Sequence, residues 1–141
     1  MSEARDKMVS VLRQVVIPKL REMGFRGSFP HFRRAGTKQL DLLTFQFSQW
    51  GPAFVVELGW CSASGHTMRD GTHYPPDRVR PCHLHLFQQR LRLGAQSPDA
   101  TDHWFRFEPD RESTRMDSAL EVLSLLKSQA ERFWREHSPG F

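Results

Sequence analysis

The residues best suited to chemistry in this sequence are two cysteines and four histidines gathered in its middle. Sulfur and imidazole groups are the ligands that zinc prefers, and six of them fall within 25 residues: Cys61, His66, His73, Cys82, His83 and His85. Their spacing matches no standard zinc site, since neither a C-x-x-C pair nor an H-E-x-x-H helix is present. Two interpretations stay open: a metal-dependent enzyme, and ordinary loop and strand residues.

No catalytic set assembles around a nucleophile or a pair of carboxylates. His83 follows Cys82 directly, and neighbours on a strand point to opposite faces, which makes His83 a poor base for that thiol. A disulfide between Cys61 and Cys82 is one alternative, but cytosolic redox conditions favour free thiols. Glu57 is the one carboxylate expected on the sheet, where an acid or base would be placed. We therefore expect a non-enzymatic domain without a cofactor.

The basic residues form a second group with functional potential. Residues 24–98 carry nine Lys and Arg against four Asp and Glu, whereas residues 99–141 carry six against nine. Sixteen of the 20 basic residues are arginine, whose guanidinium suits bidentate contact with phosphate or carboxylate. No RRM, KH, zinc-finger or helix-turn-helix pattern accompanies them. They fit a nucleic-acid-binding surface and, equally, an interface with an acidic protein.

These side chains must be positioned by a β-hairpin that the pattern from Leu40 to Trp60 predicts. Apolar and polar residues alternate in two runs, which is typical of strands with one buried face, and the chain turns at Gln49-Trp50-Gly51-Pro52. The alternation pairs Phe45 with Val56 on the buried face. The opposite, polar face carries Thr44, Gln46 and Glu57. Leu40 and Leu42 interrupt the alternation, so we expect a bulge or a covering element there.

Two helices are predicted, one near each end of the chain. Apolar residues at helical spacing over residues 3–23 predict an amphipathic helix, kinked at Pro18 because proline lacks an amide donor. A second helix of about 24 residues is predicted from Thr114, with Asp117 at the third position of a start that resembles a capping box.

The segments between these elements are less regular. Pro30 to Arg34 is predicted as an edge strand, because proline and flanking arginines are tolerated at an exposed edge. Residues 61–81 predict a long loop, the favoured place for a binding surface. Residues 82–93 fit a strand and a helix equally well, and His103 to Phe107 predicts a short aromatic strand.

The chain length fits one domain, 1–141. We expect an α+β fold, with an antiparallel sheet of about four to five strands and the N-terminal and C-terminal helices packed on one face. No apolar run approaches the ~20 residues that cross a bilayer, and a secretory signal pattern is absent, so we expect a cytoplasmic protein that does not act at a membrane. Monomer and homodimer both stay open.

Short motifs spread over nearly the whole chain also resemble a known family. They are Gly24-Phe25, Phe29-x-x-Phe32-Arg33, Gln46-x-Ser48-x-Trp50, Leu58-Gly59, Cys82-His83 with Arg90-Leu91, and Trp104-Phe105. Together they resemble the bacterial family DUF4304. Because that family has no assigned function, the resemblance implies no catalytic residue. Small bacterial domains of this kind are often accessory or immunity proteins that bind a partner.

The expected function is accordingly a protein-binding accessory domain, immunity-like in character, that contacts a partner through the polar sheet face and the arginine-rich loop. The partner is expected to be a protein, acidic in character. The binding residues are expected to be Arg33, Arg34, Gln46, Trp50, Glu57, Trp60, Arg78 and Arg80. Nucleic-acid binding by the basic middle segment and metal-dependent catalysis by the Cys/His cluster are the alternatives.

Overall fold

A computed structural model describes residues 3–80, 89–97 and 103–136 of the chain. Its helices are α1 (Glu3–Val15), α2 (Ile17–Glu22), α3 (Glu112–Leu125) and α4 (Glu131–Glu136), and a π-helical segment, Leu126–Ala130, joins the last two. Its strands are β1 (Arg26–Ser28), β2 (His31–Ala35), β3 (Gln39–Phe47), β4 (Ala53–Ser62), β5 (His66–Thr67), β6 (His73–Tyr74), β7 (Arg90–Arg92) and β8 (Phe105–Arg106).

The β3–β4 hairpin is the centre of an antiparallel sheet. Phe45 pairs with Val56, the register that the alternation predicts, since a slip of one residue would move every phenylalanine to the polar face. Among the described residues, six strands belong to this sheet, in the order β1-β2-β3-β4-β7 with β8 also on β4. The prediction of an edge strand near Pro30 is wrong. That segment is β2, and β1 covers its outer side with Arg26 opposite Arg33.

The helices pack on one face of this sheet, which confirms the predicted α+β class. Because alternate residues of β3 and β4 bury their side chains against α1 and α3, one continuous core forms between the two layers. Its largest fully buried members are Met8, Leu12, Leu20, Phe25, Phe32, Leu43, Phe54, Leu58, Phe105 and Trp134. Burial of each such side chain contributes ~1.5–3 kcal/mol before its entropy cost.

The N-terminal and C-terminal helices both depart in detail from the predicted ones. The first helix breaks at Val16, and Pro18 lies in the first turn of α2, where a missing amide donor costs nothing. The last helix begins at Glu112 rather than Thr114. The Thr114 hydroxyl instead accepts the Glu108 amide N–H at 2.8 Å, so it closes the preceding turn. Of the helices in the described parts of the chain, none is long and apolar enough to cross a membrane.

The long segment after β4 is partly ordered into a small hairpin, β5–β6. The following stretch packs Val79 and Tyr74 on Leu40, Leu42 and Cys61, on the sheet face away from the helices. This second cluster explains the two leucines that interrupt the alternation in β3. The covering element is the loop itself. In the segment 82–93, which fitted a strand and a helix equally well, Arg90–Arg92 is strand, and residues 82–88 lie outside the described residues.

Candidate binding surface

The strand register divides the predicted binding residues between the two faces of the sheet. Arg33 and Glu57 lie on the face away from the helices, called here the polar face, and Gln46 joins them. Arg34 and Trp60 point to the opposite side, toward the helices. The structure therefore does not bring the predicted set together as one site.

An ion pair lies at the centre of the polar face. Arg92 of β7 and Glu57 of β4 are cross-strand partners, and the Arg92 Nε donates to Glu57 Oε1 at 2.8 Å. Both side chains are largely buried, with 15% and 19% of their area exposed. The Arg92 guanidinium also lies 5.4 Å from the ring centroid of Trp104. Glu57 is thus held as a paired carboxylate, which favours a positioning role over that of an acid or base.

A second polar contact flanks this pair on β2 and β3. His31 lies opposite Thr44, and the His31 Nδ1 makes a short hydrogen bond with the Thr44 hydroxyl. Burial lowers the pKa of His31 below 6.5, so the ring is neutral near pH 7. Gln46, two residues further along β3, is exposed and presents its amide to solvent.

Arg33 has a structural task on the polar face. Its guanidinium donates to the carbonyl oxygens of Val79 and Pro76, each at 2.8 Å, which holds the loop onto the sheet. Arg78 and Arg80 lie in the same stretch of the loop and are exposed. Two of the three predicted arginines on this side are therefore presented outward, and the third positions them.

The hairpin turn presents Trp50, whose exposed fraction is 93%. The turn is ordered by its own hydrogen bonds: the Trp50 N–H donates to Ser48 Oγ at 3.0 Å, and the Ser48 N–H donates to the Ala53 carbonyl at 2.9 Å. A fixed turn carries this indole away from the core. Its orientation is therefore set by the hairpin and not by side-chain packing.

Arg34 belongs to a buried cluster on the helix side. Its Nε donates to Asp41 Oδ2 at 3.0 Å and its Nη2 to Glu131 Oε1 at 2.9 Å. The guanidinium lies 4.7 Å from the centroid of the Phe25 ring and 5.1 Å from that of Trp134. Burial raises the pKa of Asp41 above its usual value, although Gln39 and Arg34 oppose this. The cluster ties β2, β3 and α4 together.

Trp60 lines a cleft between the end of β4 and the β5–β6 hairpin. The cleft has a volume of about 530 Å³, and Met68, Arg69 and Gln89 also line it. Trp60 is half-buried and packs against the main core. The prediction that Trp60 and the loop contribute to one surface is consistent with this cleft, which lies apart from Trp50.

The Cys/His cluster does not converge within the residues that the structure describes. Cys61 is buried on the polar face as a free thiol, and burial raises its pKa to about 11. Both ring nitrogens of His73 contact the loop itself, Nδ1 with Thr67 Oγ1 at 2.8 Å and Nε2 with the Ser64 carbonyl at 3.1 Å. No group of three or more His, Cys, Asp or Glu residues fit to hold a metal occurs in those residues. Cys82, His83 and His85 lie outside them.

Sequence reasoning missed the partners that complete these sites. Asp41 is a second carboxylate on the sheet, which corrects the expectation that Glu57 would be the only one. A charged residue between Leu40 and Leu42, inside an apolar run, was an available signal for a buried ion pair. Gln39 and Glu131 carried no such signal, because their roles depend on the docking of α4.

Comparison with known proteins gives one result. The model of the family described as "Domain of unknown function (DUF4304)" matches residues 16–136, from the break between α1 and α2 to the end of α4. The matched range includes the whole sheet, the loop and the turn that carries Trp50. No curated protein and no solved structure gives a significant match.

Proposed function

The chain belongs to the DUF4304 family of domains of unknown function, and we propose from its own surface that it binds an acidic protein partner through the Trp50 turn and the adjoining polar face. The observation that carries this proposal is the 93% exposure of Trp50 on an ordered turn. Tryptophan is among the residue types that dominate binding energy at protein interfaces. An indole held away from the core buries little of its area in the fold and is available to a partner.

The charge around the hairpin favours an acidic partner. Arg5 lies 5.1 Å from the ring centroid of Phe47, on the helix side of the hairpin, and the exposed Arg106 lies opposite Ala53 on the polar face. The nearby carboxylate of Glu108 is already engaged with Arg111 at 3.2 Å. Trp50 is thus flanked by a positive charge on each face of its hairpin, and exposed charges of this kind steer the encounter with an acidic protein.

The polar face supplies directional contacts further along the same hairpin. The Glu57–Arg92 pair and the His31–Thr44 hydrogen bond fix these side chains before any partner arrives. Preorganised groups lose little conformational entropy on binding, so they add specificity at low cost. The exposed amide of Gln46 lies between these pairs and the turn.

A comparison of two exposed hydrophobic residues tests the proposal. Trp50→Ala and Leu120→Ala each remove an exposed apolar side chain, but Leu120 lies on α3 at 49% exposure. Wild type and both variants serve as baits in native extract, and recovered proteins are quantified by mass spectrometry. We expect one stoichiometric acidic protein that Trp50→Ala loses and Leu120→Ala retains. With that protein purified, Trp50→Ala weakens binding about 30-fold, the effect of a hot spot worth ~2 kcal/mol.

Two results would contradict the proposal. One is the recovery of no stoichiometric protein with the wild-type bait. The other is a partner whose affinity for Trp50→Ala equals its affinity for wild type, which would move the interface away from the turn. Unchanged circular dichroism of both variants is the control for folding.

The proposal extends to an immunity-like accessory role in a bacterial cytoplasm. In that role the acidic partner is a toxin whose activity the bound domain blocks. Co-expression of the two proteins then restores growth that the partner alone suppresses, and Trp50→Ala abolishes this protection. A partner that leaves growth unaffected removes the immunity role and leaves the binding proposal standing.

Nucleic-acid binding is a second candidate, favoured by the exposed arginines of the loop and of the sheet edges. Arg26, Arg78, Arg80 and Arg90 are exposed. Arg33, Arg34 and Arg92 hold carbonyl or carboxylate groups of the protein itself, which reduces the surface available to phosphates. This candidate predicts affinity for RNA or DNA that falls steeply with salt. Unchanged mobility of both nucleic acids at low salt would end it.

A further inference from the structure

The outward side of α3 presents a second exposed apolar surface. Three large hydrophobic side chains are exposed in the described residues, and two of them, Met116 at 39% and Leu120 at 49%, lie on this helix. They are four positions apart, so they lie one turn apart on the same face. Leu123, half-buried, and Ser124, exposed, continue this face toward the C-terminus. These four residues are called here the outer face of α3.

The outer face takes no part in holding α3 on the sheet. The opposite side of the helix does this, because Ala119 and Val122 are fully buried in the core and the Ser118 hydroxyl donates to the Arg106 carbonyl at 2.5 Å. A helix that has only solvent on its outward side typically carries polar residues there. Adjacent exposed apolar side chains on that side therefore indicate contact with another molecule.

Opposite charges flank the two ends of the outer face. Asp117 lies beside its N-terminal end, and Lys127 lies seven residues, or about two turns, after Leu120; both charged residues are exposed. Ten positions separate the two charges, about 15 Å along the axis, so they are too far apart to pair within one chain. In the described parts of the chain, neither side chain forms an ion pair or a hydrogen bond. Both are available to a molecule with the opposite charges at the same separation.

A second copy of the chain meets this requirement when its α3 runs antiparallel to the first. A twofold axis that passes near Val122, perpendicular to both helices, brings Asp117 of each copy beside Lys127 of the other. The same axis brings Leu120 of each copy beside the small Ser124 of the other, which permits close helix packing. We propose that the protein forms a homodimer through the outer faces of two antiparallel α3 helices. A parallel pair would instead place like charges together.

Sedimentation velocity of the full-length chain tests whether this dimer forms. Between about 1 µM and about 1 mM protein, the mass should rise from 16.5 kDa toward twice that value, with a dissociation constant on the order of 10–100 µM because the contact is small. Leu120→Asp should weaken the dimer at least ~30-fold, since it places a carboxylate of each copy at the centre of the contact. Trp50→Ala should dimerise as wild type does.

Charge reversal tests the antiparallel arrangement separately. Asp117→Lys and Lys127→Asp each create two like-charge pairs across the twofold axis, so each variant should form a homodimer about 10-fold weaker than wild type. An equal mixture of the two variants should form a heterodimer as stable as the wild-type dimer, because every facing pair is again of opposite charge. The double variant Asp117→Lys/Lys127→Asp should also dimerise as wild type does.

Three results would overturn the proposal: a wild-type chain that stays at 16.5 kDa up to about 1 mM, a Leu120→Asp dimer as tight as wild type, and a charge-variant mixture without preferred heterodimers. Circular dichroism checks the folding of each variant, and where Leu120→Asp fails to fold the charge variants decide alone. Because the outer face shares no residue with the Trp50 turn, Leu120→Ala still retains the acidic partner. Failure of one proposal therefore leaves the other standing.

Discussion

Replacement of Arg34 by methionine should reveal how strongly the C-terminal helix depends on one guanidinium. The substitution keeps much of the side-chain volume but leaves the carboxylate of Asp41, whose side chain is 9% exposed, without its cation. Loss of one partner from a buried ion pair costs about 3–5 kcal/mol. Arg34 is itself 22% exposed and Glu131 38%, so solvent relieves part of the loss. We expect the free energy of unfolding to fall by about 3 kcal/mol, at the lower end of that range.

Asp41→Asn is the matched variant. Burial raises the pKa of Asp41, so the folded protein already disfavours this carboxylate despite the presence of Arg34. Neutralisation of Asp41 relieves that burial cost while it weakens the ion pair, and we expect a loss of only about 1 kcal/mol. In the double variant Arg34→Met/Asp41→Asn, no buried carboxylate is left unpaired. Its stability should therefore exceed that of Arg34→Met alone.

Urea and thermal unfolding followed by circular dichroism measure these differences. For a chain of this length, 3 kcal/mol corresponds to a decrease in Tm of roughly 10 °C. The pH dependence of the free energy of unfolding provides an independent test, because its direction can be predicted from the pKa shift of Asp41. A carboxyl with a raised folded pKa favours the folded state below its unfolded pKa and loses that contribution as pH rises through the folded pKa. Arg34→Met should therefore recover stability relative to wild type as pH falls from 7 toward 4. The reasoning is refuted if Asp41→Asn is as damaging as Arg34→Met, or if the two losses are additive.

Three further predictions concern the polar face. Arg33→Met removes the two hydrogen bonds to the Val79 and Pro76 carbonyls, so limited proteolysis should cut residues 63–80 several times faster than in wild type, with little change in Tm. Cys61, with its pKa raised to about 11, should react with iodoacetamide at pH 8 at least 10-fold more slowly in the native than in the unfolded protein, as read from its own peptide by mass spectrometry. Because the folded pKa of His31 is lowered, its contribution to stability is complete above pH 6.5 and is lost as pH falls through the folded value. His31→Gln should therefore lose less Tm than wild type between pH 7 and 5, and an equal loss would argue against this assignment.

The central hairpin could be predicted residue by residue because its alternation is strict. A slip of one residue between β3 and β4 would move Phe45 to the polar face, and the short turn disfavours a slip of two, so the alternation and the turn together determined the pairing. An interruption of the first helix near Pro18 followed from the chemistry of proline, and the structure places it two residues earlier, at Val16. The internal position of β2 could not be predicted in the same way, because its outer neighbour, Arg26–Ser28, is too short and polar to show a strand period.

The candidate binding residues also divide into those that the sequence could place and those that it could not. Trp50 could be placed on a turn from Gly51 and Pro52, and its exposure follows from that position. Arg33 and Arg34 looked alike in sequence, yet adjacent strand residues face opposite sides of the sheet. One therefore holds the loop and the other holds α4. The predicted binding set mixed the two faces because chemical type alone does not distinguish them.

By itself, the sequence determined which residues are buried in the hairpin, where the first helix breaks and which end elements cover the sheet, since hydrophobic period and backbone chemistry are local properties. The tertiary structure decided which charges are used internally. Arg34 meets Glu131 across 97 positions of sequence, and Arg33 meets Val79 across 46. Such pairs form only when distant elements dock, because their energy depends on burial and geometry that no local pattern records. The exposed turn of Trp50 belongs to the first class, and the cluster around Arg34 to the second.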